Sequence, residues 1–360
     1  MQNSLTTFKV RVKKYDLTLL VVLMLLILAG LVILYSTSVY NGEVKFHDAM
    51  YYLKKQLFAT ALGLAVMYLV AGIDYHIWKY AAVAGYVGAV ALSVLVLLAG
   101  EEYNGSKRWL SLGPFSFQPS EYAKVALILF LAWMVNKNAK KIEKITILFK
   151  VLFCILPIVG LVGASNLSTA IIILGIGVIL VFVASPKYVQ FIWMGVIGTG
   201  FMTVFLMLES YRLERLLIWR NPEQFAKGYQ TVQGLYAIGR GLGRGIQKLG
   251  FVPEAQNDMI FSIICEEFGL AGAGFLIFLF LLLLWRFFVI AVHAKDLFGA
   301  LIVSGAMAHL MIQVILNIAV VTNAIPNTGI TLPFVSYGGT SIVFLLAEMG
   351  LVLNVSTMVR

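Results

Sequence analysis

Residues 251–270 read FVPEAQNDMIFSIICEEFGL. Pro253, Glu254, Gln256, Asn257 and Asp258 close a polar stretch, and an apolar run able to cross a bilayer begins almost at once. Asp258 therefore stands at the mouth of a membrane helix, where water ends. A carboxylate there acts either as a helix cap, satisfying orphan amides and favoured by the helix dipole, or as a reactive group. The two roles are compatible.

Composition places the rest of the chain in the same environment. Apolar residues make up 61% of the 360 residues and charged residues 12%, with a mean hydropathy of +0.92. Soluble domains carry roughly 45–50% apolar and about 25% charged residues, so an all-α polytopic membrane protein is expected. Cys154 and Cys265 fall in apolar runs without a neighbouring Cys or His, which argues against a disulfide framework or a zinc site. The net charge of +10 gathers at the ends of apolar runs, a placement that fits anionic lipid and not nucleic acid.

Apolar runs of about 20 residues predict ten spans, near 17–34, 54–73, 80–99, 119–136, 147–164, 168–184, 188–208, 261–286, 298–322 and 338–357. They make one membrane domain over residues 1–360, with a large loop, about 209–260, between spans 7 and 8. Lys9, Arg11, Lys13 and Lys14 precede the first span, which reads as uncleaved with its N-terminus in the cytoplasm. Lys79, Lys137, Lys140, Lys141, Lys144, Lys187, Arg286, Lys295 and Arg360 then fall on the cytoplasmic side. That topology requires a turn at 165–169, and it returns the C-terminus to the cytoplasm and turns the 209–260 loop outward. This loop is rich in cations. Leu235, Ile238, Leu242, Ile246 and Leu249 share one helical face, and Arg240, Arg244 and Lys248 recur every four residues on another. The pattern predicts an interfacial helix, broken or mobile because Gly239, Gly241, Gly243 and Gly245 each cost it about 1 kcal/mol.

Ionisable residues within spans are costly and usually functional. Glu121 and Lys124 lie three apart on one face, either as a buried ion pair or as the wall of a cavity whose lysine reaches an anion. Trp109, beside Lys107 and Arg108, reads as an interfacial anchor or a binding residue. His309, Gln313 and Asn317 form a stripe suited to interhelical hydrogen bonds or to a proton path. Glu348, Glu266 and Glu267 carry the same two readings. No His/Cys/Asp cluster has metal-ligand spacing, and the Gly-rich run near Gly239 follows no strand, so no cofactor is implied. On an outward face without ATP, a group transfer must be driven by its donor. A lipid-linked sugar pyrophosphate is the natural one, its anion docking on a basic stripe at headgroup level.

Five stretches, in order along the chain, resemble the SEDS family, the FtsW/RodA group of bacterial membrane proteins. They are NGSKRWLSLGPFSFQPSEYAK (104–124), SNLSTA (165–170), KGYQTVQGLYAIGRG (227–241), FVPEAQNDMIFSIICEEFGLAG (251–272) and NAIPNTGITLPFVSYGGTS (323–341). PEAQND and IPNTGITLPFVSYGGTS look more like the FtsW branch. One departure is the missing Gly-Gly-x-x-Gly insertion after Ala-Ile-Gly, since Gly239 here runs straight to Gly245.

The resemblance implies a peptidoglycan glycosyltransferase that polymerises lipid II beside a class B penicillin-binding transpeptidase. The family's essential aspartate matches Asp258, its loop tryptophan Trp109, its Gln-Pro-Ser-Glu-x-x-Lys motif Gln118 to Lys124, and its Ser-Tyr-Gly-Gly motif Ser336 to Gly339. The implied reaction inverts the anomeric carbon. It asks for a base, Asp258, whose pKa partial burial and the nearby Glu254 would raise and the helix dipole and neighbouring arginines would lower, and for cations at the departing pyrophosphate. Arg108, Lys124, Arg212, Arg215, Arg240 and Arg244 are the candidates, with Ser336 and Tyr337 also expected at the substrate; a bound divalent cation could share the charge. The alternatives are a lipid II flippase and a non-catalytic scaffold for the transpeptidase.

Overall fold

The computed structural model describes residues 15–359 apart from 104–105, 113–114, 143, 186, 188, 208–209 and 243–244. Among these residues the chain forms helices α1 (Leu17–Phe46), α2 (Tyr51–Gly72), α3 (Trp78–Ala99), α4 (Pro119–Lys137), α5 (Ile145–Ser165) and α6 (Leu167–Ala184). They are followed by α7 (Val189–Met207), α8 (Ser210–Arg220), α9 (Tyr229–Arg240), α10 (Ile260–Val292), α11 (Leu297–Val321) and α12 (Gly339–Ser356). Seven of them, α1, α2, α3, α6, α10, α11 and α12, are long and apolar enough to cross a membrane, α3 being counted with its leading 3₁₀ turn.

The bundle is ordered by what each helix can bury. α4 and α11 lie at its centre, buried on nearly every face, and α11 packs against α4, α6, α10 and α12. α2 packs most extensively on α12, and α1 packs on both α2 and α10. Large side chains on the outward face of α10, among them Phe275, Phe278, Leu281, Trp285 and Phe288, are more than half exposed. In water such a surface would drive association; in hydrocarbon it costs nothing.

One end of the bundle is closed by polar side chains. Asp16 caps α1 by accepting from Leu19 N (2.8 Å) and pairs with Arg286, while its own N–H donates to Ser356 Oγ (3.2 Å). His76 stands between Asp74 and Asp296, 2.6 Å from each, and Asp296 caps α11. Asn354 accepts from Tyr75 N (2.8 Å) and donates to Ala71 O (2.6 Å).

At the other end the connections are more structured than the sequence foretold. Residues 101–117 form a three-stranded antiparallel sheet, β1 (Glu101–Tyr103), β2 (Ser106–Leu112) and β3 (Phe115–Phe117), a small exception to an otherwise helical fold. α1 continues to Phe46, past its expected end near 34, because its polar residues find partners: Ser36 donates to Glu267 and Asn41 to Gln256. The expected 209–260 loop holds α8 and α9. The interfacial helix is corrected as well: α9 stops at Arg240, Gly241 and Leu242 take positive φ (28° and 52°), and the hydrophobic and basic stripes are cut there. Lys248 leaves the supposed stripe for an ion pair with Glu267 and a bond to Ser36 (2.7 Å). Between α5 and α6 the chain does turn, at Asn166, whose side chain accepts from Thr169 N (3.2 Å).

The connection from α11 to α12 is an irregular coil that passes through the protein interior, with Ile330, Leu332, Phe334, Val335 and Ser336 all buried. It presses on α1 at Gly30, where a Cβ would overlap the Phe334 carbonyl oxygen and meet Val335 Cα at 2.8 Å. Gly30→Ala should therefore destabilise the fold by about 1–3 kcal/mol, the usual cost of overpacking. A lowered thermal midpoint of the detergent-solubilised protein measures it.

Candidate active site

Asp258 lies in the turn that leads into α10, at the sheet-bearing end of the bundle. It does not cap that helix: the cap position is Met259, and no side chain bonds there. The carboxyl is instead tucked inward, and Asp258 is 8% exposed. Oδ1 accepts from Gln230 Nε2 of α9 (3.1 Å), so its side-chain partner there is a neutral amide. Its backbone carbonyl accepts from Asn317 Nδ2 of α11 (2.9 Å). On the remaining side is Gly329, at φ +68°, where a Cβ would come within 4.0 Å of Oδ2.

Burial is the main influence on this carboxyl and lifts its pKa from 3.8 to about 7. The negative charge of Glu254 pushes the same way; its own amide, Gln230 and the Met259 amide oppose. Glu254 itself has φ +54° and accepts from Asn257 Nδ2. A carboxyl poised near neutrality can exchange a proton with a substrate at physiological pH.

The interior coil frames this acid. Ser336 Oγ donates to Asn257 O (2.6 Å) and accepts from Leu332 N (2.8 Å), while Tyr337 N donates to Gln256 O (2.9 Å). Ser336 and Tyr337 thus hold the Gln256–Asn257 backbone from behind. Tyr337 also packs edge-on against Tyr52, ring centroids 5.0 Å apart. From α11, Asn317 Nδ2 reaches Ile330 O (2.7 Å) and Gln313 Nε2 reaches Thr331 O (3.0 Å).

Glu121 and Lys124 form an ion pair at 2.9 Å, both buried, so the lysine is already neutralised. Lys124 Nζ also donates to Gln313 Oε1 (3.3 Å), which lies 2.9 Å from His309 Nε2, and His309 Nδ1 lies 2.8 Å from Glu348. The α11 stripe thus makes the interhelical bonds of the plainer reading, and it links the ion pair to the Asp258 backbone. Glu266 is consumed in the same way, accepting from Ile246 N (3.1 Å) and Gln247 N (3.2 Å).

The other predicted residues are spread over the surrounding surface. Arg108 Nε donates to Ser165 O (2.9 Å), and both residues line a cavity of about 10 Å³ with Ser120 and Asn166. Trp109, on β2, is half-buried opposite Glu101. Arg215, on α8, donates to Asn327 O (3.2 Å), and Arg240 is exposed at the end of α9. Arg212 belongs to α8, its side chain lying outside the described residues; Arg244 lies wholly outside them. Sequence reasoning missed Gln230 and Asn327, whose Nδ2 donates to Gln230 Oε1 (3.1 Å). Both sit inside stretches that carried the resemblance, yet nothing local marks a glutamine on an amphipathic helix as a carboxylate's partner.

Removing one member of a buried pair leaves an uncompensated charge, at a cost of about 3–5 kcal/mol. Lys124→Met should destabilise the fold by that amount, seen as a lowered thermal midpoint, and Glu121→Gln added to it should recover most of the loss.

Similarity to known proteins places the chain in a family. The FtsW/RodA/SpoVE family model, described as a cell cycle protein, matches residues 16–360. Stage V sporulation protein E of Bacillus subtilis (strain 168) is 36% identical over 95% of this chain and 96% of its own. A probable peptidoglycan glycosyltransferase FtsW of Geobacter sp. (strain M18) is 35% identical over 97% of this chain and 99% of its own. Among solved structures, a chain from work on "Structural coordination of polymerization and crosslinking by a peptidoglycan synthase complex" superimposes with TM-score 0.82 at 31% identity, covering 95% of this chain and 97% of that one. Thermus thermophilus rod shape determining protein RodA gives TM-score 0.72 at 28% identity, covering 95% and 96%. The chain belongs to the FtsW/RodA/SpoVE family of polytopic membrane proteins.

Proposed function

We propose that this protein is a peptidoglycan glycosyltransferase that polymerises lipid II on the outer face of the cytoplasmic membrane, with Asp258 as its general base. The observation that carries the proposal is the nearly buried Asp258 carboxyl, lifted to about 7 at the end of the bundle where α8, α9, the sheet and the interior coil converge. Relatives named as glycosyltransferases over almost their whole length support the substrate class.

In this reading the ten long helices each cross the membrane, and both termini face the cytoplasm. Asp258 takes the proton from the acceptor sugar's 4-hydroxyl as that oxygen bonds to the donor's anomeric carbon. The bond from that carbon to pyrophosphate breaks on the opposite side, the configuration inverts, and polyprenyl pyrophosphate leaves with the bonding pair. Cations must receive it. Lys124 is compensated by Glu121; Arg215 of α8 and Arg240 of α9 are the cations on the helices beside the Asp258 turn, with Arg108 and Trp109 at the far rim. A penicillin-binding transpeptidase is the expected partner, in keeping with the synthase complex whose chain this one resembles.

Purified protein in liposomes, with its transpeptidase partner and lipid II supplied on the outer face alone, tests the assignment. Asp258→Asn should reduce polymerisation by about 10²–10⁴-fold, the range of base catalysis. A rate near that of the parent would end the base reading, and transit of lipid II without polymer would favour a flippase.

The acid also has a thermodynamic signature. Its carboxyl ionises at 3.8 when unfolded and at about 7 when folded. Between those values the native state keeps a proton that the unfolded chain has lost, so stability falls as pH rises through that window and the loss is complete above about 7. Activity should rise over the upper part of the same window. Asp258→Asn should therefore raise the thermal midpoint, and more at pH about 8 than at about 5, as measured by unfolding at both values.

A further inference from the structure

The hydrogen bonds around Asp258 run in one direction, and backbone groups fix that direction. Gly329 N donates to Asn327 Oδ1 (3.1 Å), so the Asn327 amide group turns its Nδ2 toward Gln230 Oε1 (3.1 Å). With its oxygen occupied, Gln230 has only Nε2 to present, and this reaches Asp258 Oδ1 (3.1 Å) and the Pro253 carbonyl (3.3 Å). Flipping Asn327 would set its Nδ2 against the Gly329 N–H and its Oδ1 against Gln230 Oε1, and flipping Gln230 would set its oxygen against Asp258 Oδ1 and the Pro253 carbonyl. A side-chain amide is symmetric in shape but not in hydrogen bonding, and here the backbone removes the ambiguity.

We infer that Gln230, oriented by Asn327, is a positioning residue that holds Oδ1 of Asp258 as a hydrogen-bond acceptor and leaves Oδ2 as the oxygen that receives the substrate's proton. The inference rests on the reading of Asp258 as the base. Oδ2 faces Gly329, whose missing Cβ keeps that approach free of a side chain that would otherwise stand 4.0 Å from the oxygen. An amide donor suits this task better than an arginine. It steadies the anion without the full charge that would make the carboxylate a weak base.

The charged groups around the carboxyl are consistent with this role. Glu254, in its own turn, destabilises the anion. On α8, Arg215 donates to the Asn327 carbonyl and so braces the relay from outside. α11 presents the neutral Asn317 to the Asp258 backbone, and the Glu121–Lys124 pair of α4, reached through Gln313, is internally neutral. The remaining charge-stabilising contacts are backbone amides and Gln230.

The test is the pH profile of lipid II polymerisation by the full chain with its partner, for the parent, Gln230→Met and Asn327→Ala. Methionine keeps the length of glutamine and removes the donor. Gln230→Met should lower kcat about tenfold, leave KM unchanged, and move the acid limb upward by about one pH unit, the worth of a hydrogen bond to a charged group. Asn327→Ala does not touch the carboxyl; by freeing the Gln230 amide to turn, it should move the limb in the same direction by less. A parent-like profile in Gln230→Met overturns the inference. So does a slower enzyme with an unmoved acid limb, or loss of folding in both variants, since either outcome assigns the pair a purely structural role. Asp258→Asn separates the two levels. If that variant stays active, the base reading falls; if it is inactive while Gln230→Met behaves as the parent, only the role of Gln230 falls.

Discussion

Irregular backbone inside a membrane protein must have every polar group answered, because hydrocarbon offers no water to do it. For the coil between α11 and α12, side chains at the sheet-bearing end of the bundle supply many of these partners, although Thr328 Oγ1 is buried without one among the described residues. α11 supplies Gln313 and Asn317 to the carbonyls of Thr331 and Ile330, α2 supplies Gln56 to the Gly338 amide (3.1 Å), and α6 supplies Ser168 to the Thr328 carbonyl (2.9 Å). Ser336 closes the coil on itself and on Asn257. Three helices and one turn are thereby committed to a few residues of chain that form no regular structure.

That commitment produces the site. A carboxyl on a free surface loop would ionise at its ordinary pKa and would be a poor base near neutrality. Pinned through Asn317 and held by the Ser336 and Tyr337 contacts, the turn carrying Asp258 presents its carboxyl from within the protein, where desolvation does the tuning. The same dense bonding absorbs groups that looked chemically active in isolation: Lys124, His309, Glu348 and Glu266 each have a partner inside the bundle. Buried charges that are paired and hydrogen-bonded hold a structure in register; they are not available to a passing substrate.

Much of the fold was legible in the sequence because lipid imposes a simple rule on span length and apolarity. Helices stand near every expected span, seven of them long and apolar enough to cross a membrane, and the chain turns at Asn166, within the expected 165–169. Asp258 was legible because the change from polar to apolar is abrupt beside it. Three things were not legible. β1 and β3 are only three residues long and β2, SKRWLSL, does not alternate apolar with polar residues, while α8 lacks the length that marks a span. The stripe through Arg240 and Lys248 had flawless spacing but ran across Gly241, and Glu267 drew Lys248 away. Gln230 and Asn327 meet across 97 positions, a contact no local pattern encodes.

The clasp at the opposite end bears on how the chain is assembled. Asp16, at the start of α1, hydrogen-bonds to Ser356, 340 positions later, and Asn354 holds the α2–α3 corner. The inward faces of α1 and α2 are therefore covered only when α10 and α12, made much later in the chain, settle beside them. Contacts between segments this far apart in the chain close late, so this corner of the bundle matures as a whole and not helix by helix.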